Sequence, residues 1–381
     1  MIAAQLDRVS RAFRAHTGRE PAGIWAAPGR VNLIGDHTDY NDGFVLPLAI
    51  DRHAVVAVGP RGDDLVRTWS LQGFEPASFT LSRVSEHHPG GWAAYIAGAA
   101  WALRGEGVEV GGFDLVLDGA VASGSGLASS AAVECAAALA LADLHEATLD
   151  RPALALATRR GEVRIVGVPV GVMDQMAAMC CREGSAMFLD ARTLRVEHVP
   201  LDLQGAGLSL LVIDVRSPHR LVEGEYADRR ADCEAASRAL GVRSLRDAGA
   251  ADIERGSLDP RLRRRARHVI GENQRVLDVV AALRQGRHAE IGPVLRASHA
   301  SLRLDFEVSS PELDAAVDAA LGGGALGARM TGAGFGGCAI ALVSADRIAD
   351  VRRAILRRFT SLGREPVVFP VVATRAAHRV A

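Results

Sequence analysis

Residues Asp118 to Leu144 read DGAVASGSGLASSAAVECAAALALADL, and two halves of different character meet inside this stretch. Ala122-Ser123-Gly124-Ser125-Gly126 is a run of tiny residues, and from Ser129 onward the chain turns to alanine and other apolar residues, which reads as helix. A glycine- and serine-rich turn entering a helix leaves several backbone N–H groups unpaired at the positive end of the helix dipole, which suits a phosphate chain. Ser129 and Ser130 add hydroxyls in the first turn, where one is placed to reach a metal ion. A flexible linker is the competing reading, but linkers do not run straight into a long apolar helix.

Outward from this stretch, the length of 381 residues exceeds what one hydrophobic core usually serves, so two packed domains are expected. Polar turns between strand-like pieces from Leu189 to Leu208 place the division, giving residues 1–195 and 196–381. The apolar fraction of 49% with 23% charged residues is that of an ordinary globular protein. With 44 basic and 45 acidic side chains, no long-range field favours nucleic acid or an anionic membrane, so any anion is bound locally. The N-terminus lacks the apolar core of a signal peptide, and no apolar run approaches the length of a membrane span. Five cysteines without a CxxC pair speak against a disulfide framework or a zinc site and fit a reducing cytoplasm. A monomer is expected.

The chain contains no lysine; all 44 basic residues are arginine. A Walker A loop and the protein-kinase strand lysine both need lysine on the phosphates, so neither machinery is present in its usual form.

Before the central stretch, Gln5 to His16 reads as an amphipathic helix and Gly23 to Ala27 as a strand. Then Arg30-Val31-Asn32-Leu33-Ile34-Gly35-Asp36-His37-Thr38-Asp39-Tyr40-Asn41-Asp42-Gly43 crowds polar groups between that strand and a second from Phe44 to Ile50. Asp36, His37 and Asp39 have no second cluster to complete a metal site; carboxylates accepting from vicinal hydroxyls point instead to a polyhydroxylated ligand. Trp92 and Tyr95 open a helix on one face, for core packing or for stacking on a ring-shaped ligand. Phe113 to Leu117 is the strand that delivers the chain into the glycine-serine loop.

Beyond it, Glu162 ends a helix among small and basic neighbours, and Asp174 starts another after a glycine- and proline-broken turn, either as a cap or as a carboxylate with a tuned pKa. The second half opens with a strand, Leu208 to Asp214, and a helix carrying Tyr226. The run Arg261 to Arg267 reads as a solvated helix face. A last glycine cluster, Gly332 to Gly337, matches GxGxxG formally, but a strand follows it where a dinucleotide fold needs a helix, so an oxidoreductase is a weak alternative.

Phosphate loop, hydroxyl-binding loop and a hard-oxygen pair in Ser130 and Glu162 converge on phosphoryl transfer, a reaction driven by positioning and charge neutralisation, with Arg30 standing in for a missing lysine. The stretches GRVNLIGDHTDYNDG, GSGLASSAA and MTGAGFGGCAI resemble the three motifs of the galactokinase, homoserine kinase, mevalonate kinase and phosphomevalonate kinase (GHMP) superfamily. The first, with GVPVGVMDQ and SPHRLVEGEYADRRADCE, is similar to galactokinases in particular. The resemblance runs from about Trp25 to Val343 and implies a mixed α/β, two-domain GHMP kinase fold with its active site in the cleft. It also implies ATP-dependent phosphorylation of the anomeric hydroxyl of α-galactose, with Mg2+.

The same resemblance puts Asp174 beside the anomeric hydroxyl and Arg30 beside it and the γ-phosphate. It makes Asp36, His37, Asp39, Gly171 and Tyr226 galactose contacts and Ser130 and Glu162 metal ligands. The phosphate loop becomes Ser123, Gly124, Ser125, Gly126, Leu127, Ala128 and Ser129, with Trp92 near adenine. Three positions depart from the family pattern: Asp36 stands for a glutamate, Ala122 for a proline and Val170 for a cysteine. Some galactokinase-like proteins are sugar sensors without turnover, but the presence of Arg30, Asp174 and Ser130 favours an enzyme.

Overall fold

The computed structural model describes residues 2–122, 124–217 and 222–381. The first part of the chain runs α1 (Ile2–Thr17), β1 (Gly23–Asn32), β2 (Phe44–Val45), β3 (Pro47–Pro60), β4 (Leu65–Ser70), β5 (Ala77–Thr80), α2 (Ala93–Gly105) and β6 (Phe113–Gly119). It continues with α3 (Ser129–Leu144), α4 (Arg151–Gly161), α5 (Met173–Cys180), β7 (Ser185–Asp190) and β8 (Arg195–Pro200). Then come β9 (Leu208–Asp214), α6 (Val222–Leu240), α7 (Ala250–Arg255), α8 (Pro260–Arg284), α9 (Ile291–Ser301) and α10 (Pro311–Gly322). The chain closes with β10 (Gly327–Thr331), β11 (Cys338–Ser344), α11 (Ile348–Ser361), β12 (Val367–Val371) and β13 (His378–Arg379).

Three sheets result, in the orders β13-β1-β3-β6-β4-β5, β10-β11-β9-β12 and β2-β7-β8. Pairing is antiparallel except between β4 and β6. The first sheet is covered on both faces, which explains why β1 is buried at all ten positions. Side chains alternate as the pleat requires: Ile24, Ala26, Val55 and Ala57 meet Val9 and Phe13 of α1, while Trp25, Ala27, Val56 and Val58 join the main core. Helix α3 packs on β1 and β3 and against α2 and α4, and alanine keeps it thin enough to be buried nearly all round. The expected strand at Phe44 to Ile50 divides into β2 and the start of the much longer β3, because Leu46 turns the chain back toward Ile34 and Leu33. The final strand, β13, returns to pair with β1.

The second glycine cluster turns out to be the turn of the β10–β11 hairpin, so a strand does precede it, but its successor is an antiparallel partner. The arginine run in α8 is not wholly a solvated face. Arg265 is buried and pairs with Asp232 and Glu307, while donating at 2.6 Å to the Asp305 carbonyl. Among the described residues no helix is long and apolar enough to cross a membrane.

Candidate active site

Arg30 lies near the end of β1, past a bulge between Pro28 and Arg30 that re-aims the strand. Its backbone N–H donates to Leu127 O at 3.0 Å and its Nη1 to Gly126 O at 2.6 Å, tying strand to loop. The remaining edge of the guanidinium meets Asp174 in the first turn of α5, with Nε donating to Oδ1 at 2.9 Å and Nη2 to Oδ2 at 2.8 Å. Such a fork fixes both side chains, which is what arginine offers and lysine does not. Arg30 is buried, whereas the Asp174 side chain keeps 28% exposure, into the cavity beside it.

That cavity, of about 160 Å3, is lined by Arg30, Asp36, His37, Asp39, Gly171, Asp174 and Tyr226, so every catalytic and sugar-contact residue expected from the sequence reaches one place. It is small beside the ~300–1,000 Å3 of pockets that take drug-sized ligands, a size for one monosaccharide. Tyr40, Val168, Pro169, Val170, Met173, Gly332 and Ala333 complete the wall. Arg159 holds the Val168–Gly171 turn by donating to the carbonyls of Val170 and Gly171 at 3.2 and 3.0 Å.

Each polar residue of the loop is itself held. His37 adopts φ 65° and its ring spans Tyr40 and Ala333. The Ala333 carbonyl only accepts, so Nε2 carries the proton and Nδ1 accepts from the Tyr40 hydroxyl at 2.9 Å. Burial, with His268 adding to it, pushes the His37 pKa down to about 3, so the ring is neutral and serves as a rigid wall. Asp39 accepts from the backbone N–H of Tyr40, Val172 and Met173, and burial followed by the charge of Asp174 raises its pKa above the usual carboxylate range. Asp36 is buried, with Oδ2 paired to Arg329 and Oδ1 accepting from Gly332 N at 3.1 Å. Its two oxygens are thus committed to the β10–β11 hairpin, a role the motif did not show. Arg329 also donates to the carbonyls of Asn32 and Leu33, and Glu272 on α8 accepts from Gly35 N at 3.0 Å.

The glycine-serine loop runs through left-handed backbone at Gly124, Gly126 and Ala128, with φ of 69°, 75° and 59°. Ser123 lies outside the described residues. Helix α3 begins at Ser129 with no side chain capping it, leaving its first amides for a ligand. Gly332 of the hairpin packs beneath, where a Cβ would come within 3.0 Å of Gly126 O. Trp92 stands apart from the cavity, stacked on Phe74 with its indole N–H on Glu75 O.

Glu162 follows α4 in a π-helical turn seated where Gly98 and Gly161 bring two helices into backbone contact; a Cβ on Gly98 would lie 3.0 Å from Gly161. Ser130 hydrogen-bonds Glu162, and burial, then the charge of Asp174, push the Glu162 pKa up to about 7. A carboxylate held up in this way beside a hydroxyl and a second carboxylate is a hard-oxygen setting that a divalent cation fits. Two further residues belong here, Glu134 and Gln175. Gln175 Nε2 donates to Glu162 Oε2 at 2.6 Å and to Glu134 Oε2 at 3.3 Å. A lone acid inside an alanine-rich apolar helix is the signal that marks Glu134 in the sequence.

Comparison with known proteins agrees with this architecture. The galactokinase galactose-binding signature matches residues 11–60, the GHMP kinases N terminal domain residues 94–182 and the GHMP kinases C terminal domain residues 279–361. The galactokinase of Streptomyces coelicolor is 47% identical over 98% of this chain and 98% of its own length. That of Mycobacterium tuberculosis is 43% identical over 93% of this chain and 98% of its own. The crystal structure of Lactococcus lactis galactokinase complexed with galactose superposes with a TM-score of 0.94 at 32% identity, covering 98% of this chain and all of that one. Methanococcus jannaschii mevalonate kinase, at 16% identity and a TM-score of 0.69, shares the fold across 92% of this chain and 98% of its own. Signature, length and identity together place the chain in the galactokinase family.

Proposed function

We propose that the protein transfers the γ-phosphoryl group of ATP to the anomeric hydroxyl of α-D-galactose, giving α-D-galactose 1-phosphate and ADP. The observation that carries this reading is the Arg30 fork, which grips Asp174 inside a sugar-sized cavity and, through Nη1, the carbonyl of Gly126 in the phosphate loop. One side chain thereby joins the acceptor site to the donor site.

Phosphoryl transfer asks the protein to align an attacking oxygen with the γ-phosphorus and to neutralise charge on the transferring group. Galactose sits among His37, Asp39, Gly171 and Tyr226, with its anomeric hydroxyl toward Asp174. That carboxylate accepts the hydroxyl hydrogen and orients the oxygen, while Arg30 fixes the carboxylate's rotamer and adds positive charge beside the phosphate. The open amides of Gly124 to Ser130 receive the phosphate chain. Ser130 and Glu162 would hold Mg2+, which when bound with ATP would offset the phosphate charge. Five unpaired cysteines support a reducing, cytoplasmic setting.

Incubation of the purified chain with galactose, ATP and Mg2+, followed by 31P NMR, tests the reading. A sugar 1-phosphate resonance appearing with ADP is expected. Binding of both ligands without product would identify a sensor instead.

A further inference from the structure

Glu134 lies inside α3, at 1% exposure, in a helix whose other buried positions are alanine, leucine and Cys135. A buried carboxylate is unfavourable by several kcal/mol unless hydrogen bonds compensate it. Here the compensation is thin: Oε1 of Glu134 has no partner, nor has Oε1 of Gln175. The side-chain contacts the pair does make lead outward to Glu162, through the Gln175 amide and through a hydrogen bond between the Glu134 and Glu162 carboxyl groups. Folding alone gives no reason to keep an acid there, since an apolar residue of similar size would pack better in such a helix.

The bridge joins three elements that must agree on a cation. Ser130 is on α3, Glu162 follows α4, and Gln175 neighbours Asp174 on α5. Glu162 has several rotatable bonds and stands where α4 runs on into a π-helical turn, so the backbone places its Cα but leaves the carboxylate to be fixed by its neighbours. We propose that Glu134 and Gln175 are positioning residues of the cation site, with Gln175 tying the Glu162 carboxylate to an anchor inside α3 and so setting its distance from Ser130. The inference rests on the reading of Ser130 and Glu162 as cation ligands. Partners of this kind, one step behind a ligand, are worth about ten- to a hundred-fold in metal affinity.

The test is Mn2+ binding in the presence of ADP, followed by electron paramagnetic resonance on the full chain, with KM for galactose measured in parallel. Glu134→Leu and Gln175→Leu remove the bridge at similar volume, and each is expected to weaken Mn2+ by about ten- to a hundred-fold while leaving KM for galactose unchanged. The double variant should lose less than the sum of the two single losses, because both residues act on the same Glu162 carboxylate. Glu134→Gln keeps an acceptor for the Gln175 amide and should retain affinity, which a packing role would not require. Where the leucine variants do not fold, Gln175→Asn keeps the amide but withdraws it from Glu162, and weakened Mn2+ binding is again expected. Unchanged Mn2+ affinity in folded variants, or equal losses with leucine and glutamine at 134, would overturn the proposal. Glu162→Gln separates the two levels: if it leaves Mn2+ affinity unchanged, the cation reading itself has failed. If it weakens binding and the bridge variants do not, only the positioning role has.

Discussion

Asp39 occupies the space above Gly171: its Oδ2 sits where a side chain at 171 would begin, and accepts from the amides of Val172 at 3.0 Å and Met173 at 3.3 Å. The glycine is therefore required by a close approach between the sugar loop and the turn before α5. Gly171→Ala is expected to push the carboxylate off those amides. Hydrogen bonds to a charged group are worth about 1.5–3 kcal/mol. A fall in kcat/KM for galactose of roughly ten- to a hundred-fold should follow, dominated by KM. Steady-state kinetics on galactose at saturating ATP checks it.

Asp36 binds Arg329 and the Gly332 amide with its two oxygens, so its main effect is on the wall of the site. Asp36→Ala removes the nearer carboxylate of the buried Arg329 guanidinium, leaving Glu272 at 3.8 Å, and is expected to reduce stability by about 3 kcal/mol. The accompanying loss of kcat/KM should be equal for galactose and its singly deoxygenated analogues. A loss confined to galactose and absent on one analogue would show instead a direct hydroxyl contact.

Glu272 supplies the pH dependence of the same region. Burial opposes its ionisation, but Arg275 and Arg329 outweigh it and hold its pKa at about 2. Against an ordinary glutamate value of about 4.3, the ionised form contributes about 3 kcal/mol to stability. Because the folded pKa is depressed, this contribution is complete above about pH 4.3 and is lost as pH falls toward 2. Glu272→Gln should therefore be less stable than the parent at pH 7, with the gap narrowing through that window in urea titrations.

Gly126 has φ 75° and its carbonyl accepts from Arg30. Valine resists this backbone conformation and crowds the phosphates. Gly126→Val is expected to weaken ATP binding by at least about ten-fold, the equivalent of one hydrogen bond or modest strain. Galactose binding, read by isothermal titration, should change little.

What the sequence disclosed follows the range of the interactions concerned. The loop-to-helix transition at Ser129 is local and α3 begins where the pattern put it, whereas β1 runs on through Pro28 and Gly29 to Asn32 and the strand expected at Phe44 to Ile50 is divided. The polar loop from Arg30 to Gly43 announced a ligand site through its composition alone. The pairings inside it were not legible, because Arg30 and Asp174 are 144 positions apart and Asp36 and Arg329 are 293 apart. No local spacing encodes a contact of that range. Arg265 shows the same thing in reverse: helical periodicity spread the charges around α8, but the burial of one of them is decided by Asp232 and Glu307 on other elements.

Asp174→Asn tests the central claim most directly, since amide and carboxylate are nearly isosteric and only the carboxylate accepts the hydroxyl hydrogen while holding the Arg30 fork. The measurement is kcat for galactose phosphorylation alongside calorimetric affinities for galactose and ATP. Both affinities should remain near those of the parent while kcat falls by about 100- to 10,000-fold. A variant that binds both ligands and turns over at the parent rate would contradict the assignment of Asp174 to the reacting hydroxyl.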